Sequence, residues 1–174
     1  SPILTNSQFK KFKKFFSKKV KLIDCTFDIK LSLKDRLEAI RKETETAVRE
    51  GSTSLILSDK NISNQKASIP SILTVGAVHS HLVKHGLRGY CSLNVECSDA
   101  LDTHSFAVLI GVGATTVNPY LAIDSIYQRF EKKLFGKSDF ESCVVKFKKS
   151  IDAGLLKIMS KMGISVISSY RGGC

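Results

Sequence analysis

The densest grouping of chemistry-bearing residues in the chain is His79, His81 and His85. His81 and His85 stand four apart, so on a helix they share a face, which is the ligand spacing of a zinc helix. Position 82 is Leu where the H-E-x-x-H pattern has Glu, and no carboxylate or third ligand follows at a recognisable distance. The sequence therefore argues against a metal there, and His79 points to another face. Cys91 and Cys97 would sit at the two ends of one extended segment, too far apart to bridge at about 3.3 Å per residue. A nucleophilic thiol needs a base beside it, and His104 is the one candidate close in sequence. Gly111-Val112-Gly113 has Thr116 in place of the third glycine of a dinucleotide fingerprint and follows an expected helix rather than a strand, which argues against a Rossmann phosphate loop. No catalytic residue and no metal ligand is assigned from sequence.

The elements that would position these residues follow from periodicity. Pro70 just inside a start, with Ser68 before it as a cap, and Gly86 past a stop predict a helix from about Pro70 to His85. Tyr90 to Glu96 reads as a strand buried on both sides, as in a parallel sheet. Upstream, Lys21 to Phe27 is a strand and Leu33 to Glu50 a helix capped by Ser32 and stopped by Gly51. Ser54 to Ser58 is a short apolar strand with a hydroxyl at each end, and Asp59 to Ser68 a polar loop. The order β, α, β, α, β with short connections implies parallel pairing. Asp59 and Lys60 then lie at a strand's carboxyl end, where α/β proteins place their sites, as does Glu96 after the next strand. The alternative is that Asp59 only closes its turn.

Further on, a helix spans Phe106 to Ile110, Ala114 to Val117 is a short strand at best, and Asn118-Pro119 opens a helix through Tyr127, Phe130 and Leu134. Ser138 or Asp139 begins a last helix ending near Met162, within which Gly154 marks either close packing or a break. Ile164 to Ser168 reads as a final strand. Before all of these, Phe9, Phe12 and Phe16 stripe a short helix whose other face is lysine, a basic amphipathic lead-in over residues 1–20 that folds against its own domain or binds an anionic surface.

Bulk numbers bound the rest. At 174 residues the chain makes one domain, and no apolar run approaches the ~20 residues of a membrane helix. Lys+Arg 27 against Asp+Glu 16 leaves +11, but scattered lysine lacks arginine's planar fork, so a solvated surface is favoured over nucleic-acid binding. Five cysteines without a C-x-x-C pair point to free thiols in a reducing, cytoplasmic setting. Starting at Ser1 without Met, the chain is expected to be a piece of something longer.

Ile56-Leu57-Ser58-Asp59, Ile69-Pro70-Ser71, Ala77-Val78-His79 with His81-Leu82, and Gly86-Leu87-Arg88 form a recognisable series. It continues with Ser92-Leu93 and Val95-Glu96, His104 with Phe106-Ala107-Val108-Leu109, Gly113-Ala114, and Asn118-Pro119-Tyr120-Leu121-Ala122. The most specific block is Gly154 to Ser165 with Ser169-Tyr170-Arg171-Gly172. Together they resemble the central region of the large subunit of glutamate synthase, the family that makes two glutamates from glutamine and 2-oxoglutarate. Ser80 and Ser105 depart from it, standing where the family tends to have consecutive histidines.

The resemblance implies a connector between a glutaminase domain, which releases ammonia, and a flavin domain, which aminates and reduces 2-oxoglutarate. The connector would hold the two in register and line part of an ammonia path, with no chemistry of its own. It also implies a degenerate (β/α) barrel relative, in line with the βα order read from periodicity: an α/β fold of repeated βα units with a mainly parallel sheet. FMN and an iron-sulfur cluster are implied for a complete family member. In this chain no cofactor is expected, since Cys174 is a single thiolate, although Arg171 in the glycine-rich tail could approach a flavin phosphate. The expected partners are the glutaminase and flavin domains, with self-association through strand edges left open by a partial barrel. The rival reading is a basic binding module for nucleic acid or an acidic protein, acting through Lys10 to Lys21.

Overall fold

A computed structural model of the chain describes residues 1–16 and 19–173. Four short strands make its frame: β1 (Val20–Asp24), β3 (Ser54–Ser58), β5 (Ser92–Glu96) and β6 (Thr116–Asn118), side by side in that order and all parallel. Parallel neighbours require crossovers, and these are α2 (Leu33–Arg49), α3 (Ser71–Lys84) and α4 (Thr103–Gly111). The repeated βα units and mainly parallel sheet expected from the sequence are therefore present.

Register explains why such short strands hold together. Ser54 pairs with Ser92, Ile56 with Asn94 and Ser58 with Glu96, while Asn94 pairs with Thr116 and Glu96 with Asn118. Side chains alternate across a sheet, so Leu55, Leu57, Leu93, Val95 and Val117 all lie on one face. They form a single buried core with Ile40, Val48, Val78, Leu82, Phe106 and Ile110 of the crossover helices. The opposite face carries Ser54, Ser58, Asn94, Glu96, Thr116 and Asn118. It is buried too, and its polar groups satisfy one another: Asn94 Nδ2 donates to Ser54 Oγ at 2.9 Å, and Thr116 Oγ1 donates to Asn94 Oδ1 at 2.8 Å.

The remaining elements enclose this frame. Ahead of β1, α1 (Asn6–Phe15) follows Ile3, which bridges Val117 in parallel and extends the sheet by one residue beyond β6. After β6, α5 (Tyr120–Glu131) and α6 (Phe140–Lys161) pack on each other, and α6 also packs on α4. Gly154 is the reason α6 approaches so closely: a Cβ there would lie 2.5 Å from Thr103 Cγ2. Of the two expectations for that glycine, close packing is the outcome, since α6 runs through it unbroken. Asp139, not Ser138, is its N-cap.

Several boundaries differ from expectation. The strand expected from Lys21 to Phe27 is two elements, because after Asp24 the chain turns into β2 (Thr26–Asp28), which pairs antiparallel with β4 (Lys66–Ser68) inside the expected polar loop. Ser68 belongs to β4 and does not cap α3; the first turn of α3 is held in trans, with Ser71 N–H donating to Asp99 Oδ2 at 2.9 Å. Tyr90 lies in a 3-10 turn (Arg88–Tyr90) and is exposed, so β5 begins only at Ser92. Leu134 falls beyond the end of α5. The expected final strand is instead a turn at Gly163 and a one-turn helix α7 (Ile167–Tyr170). Among the described residues no helix is long and apolar enough to cross a membrane.

Candidate functional site

Parallel strands of one sheet end together, and here their carboxyl ends gather Ser58 at the end of β3 with Asp59 after it, Glu96 at the end of β5 and Asn118 at the end of β6. The pairing Ser58 with Glu96 puts both side chains on the polar face, where Ser58 Oγ donates to Glu96 Oε2 at 2.8 Å. Glu96 is 3% exposed. An ionised carboxylate buried that deeply needs counter-charges, and it has two. Lys60 Nζ lies 3.0 Å from Oε1 and Lys13 Nζ 2.9 Å from the same oxygen. Burial alone would raise the Glu96 carboxyl, but hydrogen bonds from Lys13, Ser58 and Lys60 outweigh it and hold the group below its ordinary value.

Lys13 arrives from the far end of the sequence, and the local sequence explains how. Thr5 and Gln8 form a capping box: Thr5 Oγ1 accepts from Gln8 N–H, and Gln8 Oε1 accepts from Thr5 N–H at 3.0 Å. The helix so started buries Phe9, which is 2% exposed, and one turn later presents Lys13 to Glu96. Lys13 Nζ also stands 4.8 Å above the Phe9 ring, and Lys60 Nζ 4.9 Å above the Tyr120 ring, each a cation against an aromatic face. Asn118 Nδ2 donates to Leu4 O and to Asn6 Oδ1, which ties the lead-in to the end of β6.

Asp59 does more than close its own turn. Its Oδ2 accepts from both the backbone N–H and the hydroxyl of Ser98, at 2.9 and 2.6 Å, and so joins the loops after β3 and β5. Burial, and then the Asp59 charge, push the neighbouring Tyr120 hydroxyl above its ordinary value, which keeps it neutral. Among the described residues the strand ends leave a pocket of about 230 Å³ lined by Phe9, Lys13, Lys60, Glu96 and Asn118, and Glu96 also borders a void of about 10 Å³ with Asp59 and Ser71. The pocket is smaller than the roughly 300–1,000 Å³ of ordinary ligand pockets, and its charges are already paired, so it does not fit FMN.

The other sequence candidates are dispersed. Cys25, Cys91, Cys97 and Cys143 are free and buried. Burial pushes the Cys25 thiol up to about 12 and the Cys97 thiol higher still, the opposite of what a nucleophile or a cluster ligand requires. No set of three converging metal-ligand groups among the described residues includes a cysteine, so the four described cysteines do not make an iron-sulfur ligand set. Cys174 lies outside the described residues, as do Ser17 and Lys18 of the lysine-rich run. Gly111-Val112-Gly113 ends α4 and receives the tail, with Gly172 N–H donating to Gly111 O at 2.8 Å. His79 Nδ1 accepts from Arg88 Nε at 3.1 Å, and its ring lies against Gly113. His81 and His85 do share a face, and α2 brings Glu45 to them: His81 Nε2 is 2.8 Å and His85 Nε2 3.9 Å from Glu45 Oε2. Sequence reading missed Glu45 because it comes from a different helix, and missed Lys13 because a lysine-rich face reads as solvated. The Thr5-x-x-Gln8 box was the available signal for the second.

The chain is similar over 99% of its length to two NADPH glutamate synthase large chains: that of Azospirillum brasilense, at 52% identity, and that of Bacillus subtilis, at 41%. It is 38% identical, again over 99% of its length, to the chloroplastic ferredoxin-dependent glutamate synthase of Spinacia oleracea. It spans only 12%, 11% and 12% of those relatives' own lengths, respectively. Among solved structures, DHODH from Eimeria tenella in complex with ferulenol superposes with a TM-score of 0.56 at 15% identity, covering 88% of this chain and 37% of that one. At that identity the likeness is one of fold alone, and it agrees with a barrel-like arrangement of βα units. The glutamate synthase central domain matches residues 1–174, and with strand ends closed by the chain's own side chains in a partial βα barrel, the protein belongs to the glutamate synthase central domain family.

Proposed function

We propose that the chain is the connector of a glutamate synthase, holding a glutaminase site and a flavin site in register and lining part of the ammonia path between them, without a reaction of its own. The observation that carries this reading is the closure of the strand ends. In α/β folds the carboxyl ends of the strands are where substrate and cofactor normally sit. Here Glu96 is paired with Lys13, Lys60 and Ser58, and Phe9 lines the small pocket left beside them. A fold that spends its reactive rim on internal contacts is suited to rigid spacing.

The test is stoichiometric. In a glutamate synthase carrying this sequence between its glutaminase and flavin domains, replacing residues 1–174 by a Gly/Ser linker should preserve glutamine hydrolysis and ammonia-dependent amination as separate half-reactions. Ammonia should then escape to solvent, so that more glutamine is hydrolysed than 2-oxoglutarate is aminated. Unchanged tight coupling in the linker variant, or glutamine turnover by the 174-residue chain alone, would overturn the proposal.

A further inference from the structure

The second polar cluster lies on the helical side of the sheet, away from the strand ends. Its members converge for reasons visible in the local structure. His81 is in the last turn of α3 and His85 is the residue that caps it, after which Gly86, at φ +68°, turns the chain away. Glu45 lies on α2, which packs directly against α3. Glu45 Oε2, His81 Nε2 and His85 Nε2 face one another, and the ligand atoms of the three residues all lie within 4.8 Å of one another.

We propose that Glu45, His81 and His85 form a divalent transition-metal site, with zinc as the fitting ion and the fourth coordination position open to water. Zinc binds His nitrogen and carboxylate oxygen at about 2.0–2.2 Å in a tetrahedron, which sets its donor atoms roughly 3.4 Å apart. The observed separations from Glu45 Oε2, 2.8 Å to His81 and 3.9 Å to His85, bracket that value, so small side-chain rotations suffice.

The surrounding contacts orient the donors. His85 Nδ1 lies 2.8 Å from the His81 carbonyl oxygen, and a carbonyl can only accept, so Nδ1 carries the proton. In the neutral ring this leaves the Nε2 lone pair directed at the site, the tautomer that metal-binding histidines are held in by a backbone acceptor. Arg49 donates to Glu45 Oε1 at 2.9 Å, which leaves Oε2 for the ion. The site also lies at the carboxyl end of α3, where the helix dipole favours a cation. Without an ion the same residues make a Glu45–His81 hydrogen bond, which is the competing reading.

The experiment is a calorimetric titration of the purified 174-residue chain with ZnCl2, paired with Co2+ absorption spectroscopy as a report on donor type and geometry. One Zn2+ per chain should bind, Co2+ should give the visible bands of a low-symmetry nitrogen and oxygen site, and Mg2+ should produce neither. His85→Ala and Glu45→Gln should each abolish or severely weaken binding. Arg49→Met, which acts only through Glu45, should weaken it by about 10-fold. Circular dichroism identifies any variant that fails to fold, and the solvent-facing His85→Ala is the variant least exposed to that failure. No zinc binding, or binding of equal affinity in His85→Ala and Glu45→Gln, would overturn the proposal and leave the Glu45–His81 contact as a simple ion pair.

Discussion

At the scale of the residue, the structure turns on Glu96, whose burial is tolerated because Lys13 and Lys60 share its Oε1. The lysine side chains keep 37% and 48% of their exposure, so removing the carboxylate leaves charges that water can reach. Glu96→Gln should therefore cost about 1–2 kcal/mol in urea unfolding at pH 7, less than the 3–5 kcal/mol of a fully buried broken pair. The acid limb supplies the sign. Folding lowers this carboxyl below its ordinary value of 4.5, so as the pH falls the unfolded chain takes up the proton first. The stabilisation is complete above about pH 4.5 and is lost as the pH drops through the lower folded value. Unfolding followed across that window should show a steeper acid slope for the wild-type chain than for Glu96→Gln, and identical slopes would contradict the assignment.

This level was half legible in the sequence. Asp59, Lys60 and Glu96 could be placed at the strand ends by counting, whereas the Lys13 contact spans 83 positions and no local pattern announces it. The polar face of the sheet was legible and went unread. In Ser92-Leu-Asn-Val-Glu96 and Thr116-Val-Asn118 polar residues recur at alternate positions, and in Ser54-Leu-Ile-Leu-Ser58 the two serines fall on that same side with Ile56 between them, marking one largely polar and one apolar side. Both sides are buried, as expected, but with different chemistry.

At the scale of the element, two helical glycines make a controlled comparison. Alanine is favoured over glycine in a helix by about 1 kcal/mol. At Gly76 in α3 a new Cβ would meet nothing within 4 Å, so Gly76→Ala should stabilise the chain by about 0.5–1 kcal/mol in denaturant unfolding. At Gly154 in α6 the same methyl would lie 2.5 Å from Thr103 Cγ2 and 2.7 Å from Oγ1, and a β-branched side chain has few rotamers to escape into. Overpacking costs of about 1–3 kcal/mol then outweigh the propensity gain, so Gly154→Ala should destabilise. Opposite signs for the two substitutions are the expected result, and two gains would mean that α4 and α6 are not in tight contact. Helix limits were well specified by caps such as Ser32 and Asp139 because capping is local. The Ile164 to Ser168 segment misled because a short apolar run does not by periodicity alone distinguish a strand from a short helix.

At the scale of the molecule, the two sheet edges are treated differently. The β6 edge is partly covered by the lead-in through Ile3, whereas among the described residues β1 pairs only with β3, and Leu22 on it is 53% exposed. Ile29 and Leu31, just downstream, are 59% and 69% exposed. An uncovered edge with apolar neighbours invites association. Sedimentation velocity should accordingly show concentration-dependent self-association of the 174-residue chain that Leu22→Lys reduces, and a monomer at every concentration would remove that expectation. The βα order was readable from periodicity, whereas the closing of the strand ends by α1 was not, because it depends on a contact between the first helix and the third strand of the parallel sheet.

The central claim is that the strand ends, where relatives of this fold place ligands, are occupied by the chain's own residues. It is tested most directly by titrating FMN with the purified chain and following flavin fluorescence. A narrow and charge-paired rim should give no saturable quenching in the wild-type chain. Saturable quenching that Lys60→Ala weakens would place a flavin at those strand ends and contradict the account.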